Sequence, residues 1–177
     1  MRWMWIDRVV ELLPRERLVS IKNVTAAEEH LYDHFPATRR RDRSAREARP
    51  IMPATLIVEG MAQSAGILVG HAEGFREKVV LAKISRAELE RDAIPGTTLR
   101  YTAELRSIGA QGASTEGTVE IMDHARPDDG FVRIGRIDLM FSHLDRNMAG
   151  TTFPEHNFVF SESFRTLLRT SGIDCSF

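Results

Sequence analysis

One segment limits the fold more than any other. From Pro53 to about Glu73 the chain reads as a single helix, with Pro acceptable in its first turn and Gly74 suited to its exit. Its interior mixes large apolar residues (Leu56, Ile57, Val58, Met61, Ile67, Leu68, Val69) with Gly60, Ala62, Ala65, Gly66 and Gly70. Each Gly costs a helix about 1 kcal/mol against Ala. That cost makes sense where another backbone must come close on several sides. A helix apolar nearly all round is one that something wraps.

The rest of the chain supplies the wrapping. Residues 7–13 and 17–25 are β-rich runs on either side of Pro14-Arg15-Glu16 and suggest a hairpin. Residues 26–32 read as loop or a short helical turn. After the helix come Val79–Ile84, Thr97–Ile108, Ala113–Met122 and Phe131–Ser142. Residues 98–106 alternate between apolar and polar, as a half-buried strand does. Gly109-Ala110-Gln111-Gly112 and Pro127-Asp128-Asp129-Gly130 mark turns. The order is hairpin, long helix, then an expected meander of four strands. This implies an α+β class with one antiparallel β-sheet wrapped around one long central α-helix. A short helix is expected at Ser161–Arg169, and neither a repeat nor a second domain is visible.

Two residues carry the chemistry. His34 lies in Asp33-His34-Phe35-Pro36, a loop stiffened by Pro, and Glu59 lies in the apolar run of the helix. An imidazole that takes a proton and a carboxyl in apolar surroundings are the parts of an acid–base enzyme. Each alone has a plainer reading: a loop His is usually a surface or core residue, and a helix Glu usually faces water or a partner. Gln63 lies one turn beyond Glu59 on the same face, where an amide can orient the carboxyl.

The joint wording is specific. His34-Phe35-Pro36, then Met52-Pro53 at the helix entry, Glu59 six residues after that Pro and Gln63 four after Glu59 resemble the 3-hydroxyacyl-(acyl-carrier-protein) dehydratases of bacterial fatty-acid synthesis. Residues 6–11, 19–24 and Ala93-Ile94-Pro95-Gly96-Thr97 resemble the early strands and a turn of that family. Glu rather than Asp on the helix resembles its FabZ-like rather than its FabA-like branch. The resemblance covers about residues 6–144. It implies the hot-dog fold in a domain of residues 1–144, with 145–177 as a C-terminal extension. It further implies elimination of water from 3-hydroxyacyl thioesters, with His34 as base and Glu59, kept neutral by burial, as acid. Phe35, Pro36, Ala54 and Gln63 would line the substrate site, the Ala54 N–H holding the thioester carbonyl. The implied assembly is a homodimer that shares its sites, possibly a trimer of dimers. No cofactor is implied beyond the phosphopantetheine on the carrier protein, and no metal.

The chain also departs from the pattern. Fifteen residues, Phe35 to Arg49, separate His34 from Pro50, where the family has about four. Ala37 and Ala54 stand where the family has Gly. Within the insert, residues 38–49 carry Arg39, Arg40, Arg41, Arg43, Arg46 and Arg49. With no apolar side chain larger than Ala, the insert is expected to be a mobile loop or weak solvated helix. Its arginines are candidates for steering the acidic acyl carrier protein, or are merely solvated.

With net charge -1, the 177-residue chain is not built to hold nucleic acid or anionic lipid. One cysteine, Cys175, staples nothing internally. The first residues are too soon charged for a signal peptide and no run spans a bilayer, so the expected location is the cytoplasm. Other functions remain open: a hot-dog thioesterase, or a non-catalytic acyl-binding or partner-binding module. His30 and His34 are spaced for a shared metal, but the sequence places no third ligand.

Overall fold

The computed structural model describes residues 3–39, 45–144, 157 and 159–174. In chain order the elements are β1 (Arg8–Leu13), β2 (Arg17–Val24), α1 (Glu29–Asp33), β3 (Thr38–Arg39), β4 (Ala45–Arg46), α2 (Ala54–Ala72), β5 (Val79–Leu89), β6 (Thr97–Gly109), β7 (Gly112–Asp123), a 3-10 turn at Pro127–Asp129, β8 (Val132–His143) and α3 (Glu162–Thr170). β1, β2, β6, β7, β8 and β5 form one antiparallel sheet in that spatial order, packed against α2. The α+β class holds.

The expected four-stranded meander does not. β6, β7 and β8 follow one another through short turns, with Gly109 paired to Gly112 across the first. β5 skips β6 and pairs with β8 at the far edge of the sheet. β6 pairs instead with β2, from Arg17↔Glu104 to Val24↔Thr97. β5 also runs five residues past the expected Val79–Ile84, because Arg86–Leu89 pair with β8, past an irregularity at Ser85, although they carry little apolar signal.

The small residues of α2 work as foreseen in sense but not in partner. Aromatic side chains, more than backbone, occupy the space. A Cβ at Gly60 would lie 2.6 Å from the Tyr101 hydroxyl and 2.9 Å from the Trp5 carbonyl oxygen. One at Gly70 would lie 2.4 Å from the Phe160 ring. From the sheet side, Gly117 of β7 leaves room for the Met61 thioether. Tyr101 is fully buried, its hydroxyl has no hydrogen-bond partner among the described residues, and burial pushes the phenol far above its ordinary range.

The arginine-rich insert is a correction as well. Its ends form a small antiparallel hairpin, Thr38↔Arg46 and Arg39↔Ala45, rather than a loose loop or a helix. The reason is anchorage. The Arg49 N–H donates to the Phe35 carbonyl at 3.0 Å, closing the base of the insert and bringing its two limbs side by side.

Gly60 and Gly66 give opposite expectations. Gly60→Ala drives a methyl into Tyr101 and the Trp5 backbone and should cost about 1–3 kcal/mol. At Gly66 the nearest atom, on Phe141, is 3.7 Å from a new Cβ. Gly66→Ala should therefore be neutral or stabilise by up to about 1 kcal/mol. Urea unfolding midpoints of the two variants test the pair.

Candidate active site

Glu59 sits on the second turn of α2 and is half-buried. Gln63, one turn on, is 6% exposed and fully engaged. Its Nε2 donates to Glu59 Oε1 at 3.0 Å and to the Trp3 carbonyl at 3.1 Å. Its Oε1 accepts the Trp5 N–H at 2.8 Å. Flipping the amide would set Nε2 against the Trp5 N–H, donor to donor, so the network fixes its orientation. Gln63 therefore ties the N-terminal segment across α2 and holds one oxygen of Glu59. The sequence suggested the amide–carboxyl pair but not the strap, since nothing in Trp3-Met4-Trp5 points to backbone groups used this way.

Glu59, Ala62, Gln63 and Gly66 form one stripe of the helix and border a cavity of about 260 Å³. Val79, Val80, Leu81 and Phe141 make the sheet side of that cavity. In the single chain it is open enough to leave Glu59 only half-buried, which falls short of the apolar enclosure expected for an acid kept neutral.

His34 follows α1 directly. Its N–H donates to the His30 carbonyl at 3.2 Å, and its ring meets Phe35 edge-on at 4.4 Å. His34 is half-buried and Phe35 partly exposed. Both border a second cavity of about 370 Å³, together with Met52, Pro53, Ala54 and the Leu89–Asp92 segment. Ala54 opens α2; the Leu56 and Ile57 N–H groups donate to the Pro53 carbonyl at 2.9 and 3.3 Å, and the N–H groups of Ala54 and Thr55 come too early in the helix to have a carbonyl one turn back. Thus one chain brings His34, Phe35 and the helix start at Ala54 together. Pro36 is exposed and does not border this cavity.

One chain does not bring His34 and Glu59 together. They border different cavities on different sides of α2. The helix explains this: Glu59 is five residues from Ala54, about 7.5 Å along the axis and about 140° around it.

The arginines divide. The Arg46 guanidinium lies 5.7 Å from the Phe35 ring centroid. Arg49 pairs with Asp92 at 3.0 Å, both exposed, so part of its charge is already answered. Arg39 belongs to the hairpin through its backbone, whereas Arg40, Arg41 and Arg43 lie outside the described residues. Glu90 and Asp92 on the wall of the His34 cavity were not anticipated.

His30 does not share a site with His34. It packs edge-on against Trp5 at 5.1 Å in a separate cavity, its Nε2 buried without a hydrogen-bond partner among the described residues. Among the described residues no group of three His, Cys, Asp or Glu is placed to hold a metal, and no helix is long and apolar enough to cross a membrane.

With this geometry in view, comparison with known proteins is decisive for the family. The model of the FabA-like domain matches residues 2–125. The chain belongs to the FabA-like family. It is similar to the 3-hydroxyacyl-[acyl-carrier-protein] dehydratases FabZ of Alkalilimnicola ehrlichii (39% identical, 58% of this chain, 62% of the relative) and Granulibacter bethesdensis (38% identical, 56% of this chain, 54% of the relative). The chain thus spans a little over half the length of these FabZ relatives. Among solved structures it is similar in fold to the dehydratase heterocomplex ApeI:P from Xenorhabdus doucetiae (TM-score 0.56, 15% identity, covering 80% of this chain and 83% of that one). It is also similar to an acyl-CoA hydrolase variant from Staphylococcus aureus (TM-score 0.52, 16% identity, 88% of each chain). The fold of this FabA-like chain is the hot-dog fold.

Burial lowers the His30 pKa from its ordinary 6.5, with Lys22 and His34 adding to the effect and Glu28 opposing it. The unfolded chain then takes the proton first as pH falls. The His30 contribution to stability is present above about pH 6.5 and lost below it. His30→Phe keeps the ring against Trp5 and removes the proton. Its urea midpoint should fall less than that of the parent chain between pH 7 and 5.

Proposed function

We propose that the chain dehydrates 3-hydroxyacyl thioesters carried on acyl carrier protein to trans-2-enoyl thioesters, in fatty-acid or related lipid synthesis in the cytoplasm. The FabZ relatives support the reaction class, and one observation on β5 supports the mechanism.

β5 is an exposed edge strand of 11 residues, with Leu81 39% and Ile84 48% exposed. A long edge with apolar side chains invites a further strand. Ile84 is its midpoint. A second copy added antiparallel about a two-fold axis at Ile84 sets the Val79–Leu81 end of one chain against the Leu89 end of the other. Val79–Leu81 border the Glu59 cavity, and Leu89–Asp92 border the His34 cavity. Both cavities lie on the helix side of the sheet, so the two half-sites separated in one chain meet twice across such a dimer. The partner would also close the open side of the Glu59 cavity.

In that joint site His34 takes the proton α to the thioester carbonyl. The electron pair moves into the carbonyl, and the N–H groups at the Ala54 end of α2 hold the developing oxyanion, aided by the positive helix end. As the pair returns to form the double bond, the C–O bond at C3 breaks, and Glu59 of the other subunit gives its proton to the departing hydroxyl. Water leaves, and the proton on His34 passes through solvent to restore Glu59. Gln63 fixes the carboxyl for this transfer. Arg46 on Phe35, with the other arginines of the insert, would draw an acidic carrier toward the His34 cavity.

Glu59→Gln and His34→Ala should each lower kcat by about 100-fold or more. Mixed in equal amounts after unfolding and refolding together, the two variants should regain activity, because about half of the dimers formed are mixed and each mixed dimer holds one intact site. No recovery on mixing rejects the shared site. Near-normal turnover by Glu59→Gln rejects the acid, and release of free acid instead of enoyl product rejects dehydration in favour of thioester hydrolysis. Replacing Arg39, Arg40, Arg43 and Arg46 with Gln should slow carrier association and flatten its dependence on salt, measured by stopped flow.

A further inference from the structure

The cavity that starts at Glu59 ends on residues beyond β8, outside the matched stretch 2–125. The stripe Glu59, Ala62, Gln63, Gly66 continues to Gly70, about 16 Å along the axis from Glu59. At Gly70 the stripe is closed: the Phe160 ring occupies the space a Cβ would take there. Phe160 is 3% exposed and meets Phe75 edge-on at 4.9 Å, while Phe164, on the first turn of α3, meets Phe160 at 6.0 Å. Val159, Phe160 and Phe164 all border the cavity, and Phe164 is half-buried. Between the polar end at Glu59 and Gln63 and the aromatic end at Phe160 the walls are Ala, Gly, Val, Leu and Phe. Such a trough suits an unbranched hydrocarbon chain, with a fixed stop.

We propose that Phe160 and Phe164 are the end stop of the acyl pocket and set the longest chain the protein accepts. This rests on the reading that Glu59 faces the thioester end of an acyl substrate. Phe160 is part of the core and holds its place against Gly70. Phe164 is the adjustable wall, since it is only half-buried and borders the cavity from the first turn of α3. A pocket of this kind distinguishes chains by the methylenes it can enclose, and one methylene is worth roughly tenfold or more in kcat/KM.

The test uses the full chain with 3-hydroxyacyl thioesters of graded length, and in parallel the binding of saturated acyl-pantetheines of the same lengths, which cannot be dehydrated. Phe164→Ala should move both profiles toward longer chains, raising the ratio of long to short by roughly tenfold. Gly66→Leu, which fills the middle of the trough, should move both toward shorter chains. Phe164→Leu, which keeps an apolar contact, should lie between the parent and Phe164→Ala and serves if the latter does not fold. Dehydration with length profiles unmoved by Phe164→Ala and Phe164→Leu overturns the end stop and leaves the dehydratase reading standing. Length-dependent binding that moves in the variants, with no dehydration at any length, keeps the end stop and overturns the dehydratase reading.

Discussion

Helix α2 can lie against the curved sheet only because its surface is notched. Gly60 admits the Tyr101 hydroxyl and the Trp5 carbonyl, Gly70 admits Phe160, and Gly117 on the sheet admits Met61. At each position one missing carbon lets a larger group approach closer than a Cβ would allow. The weak helix propensity of these positions is the counterpart of dense packing around them. Both cavities are built on this helix: its first residue borders one, its second turn the other, and near its end Phe160 fills the space at Gly70.

The strap over α2 shows how a polar side chain is retained in such packing. Gln63 is nearly buried, and its cost is offset because its oxygen and its nitrogen are both bonded. Two of its partners are backbone groups of Trp3 and Trp5. The third is Glu59. One amide therefore couples the placement of the N-terminal segment to the placement of the carboxyl. Tyr101 is the contrasting case, a buried hydroxyl with no hydrogen-bond partner among the described residues, packed against the gap at Gly60.

The division of the site follows from helical geometry rather than from distance along the chain. Ala54 and Glu59 are near in sequence, yet they point about 140° apart. The second copy proposed across the β5 edge would join the two cavities without bending the helix, and the exposed Leu81 and Ile84 make that edge a surface that a second strand would cover.

The residue pattern by itself determined the class of fold and named the residues of the proposed site. A helix with Gly at 60, 66 and 70 flanked by alternating strands leaves few arrangements besides a sheet around a helix, because period and residue size are local properties. The spacing of His34, Pro53, Glu59 and Gln63 was equally legible. Tertiary structure alone decided which strand neighbours which, so that β5 lies beyond β8 and not beside β6, since hydrogen bonding across a sheet leaves no mark in the order of residues. It alone decided that the ends of the insert pair with each other, Thr38 with Arg46 and Arg39 with Ala45. It alone showed that Trp3 and Trp5 serve Gln63 through their backbones, and that Phe160 fills the notch at Gly70, because contacts between groups 60 to 90 residues apart depend on where the whole chain has been placed.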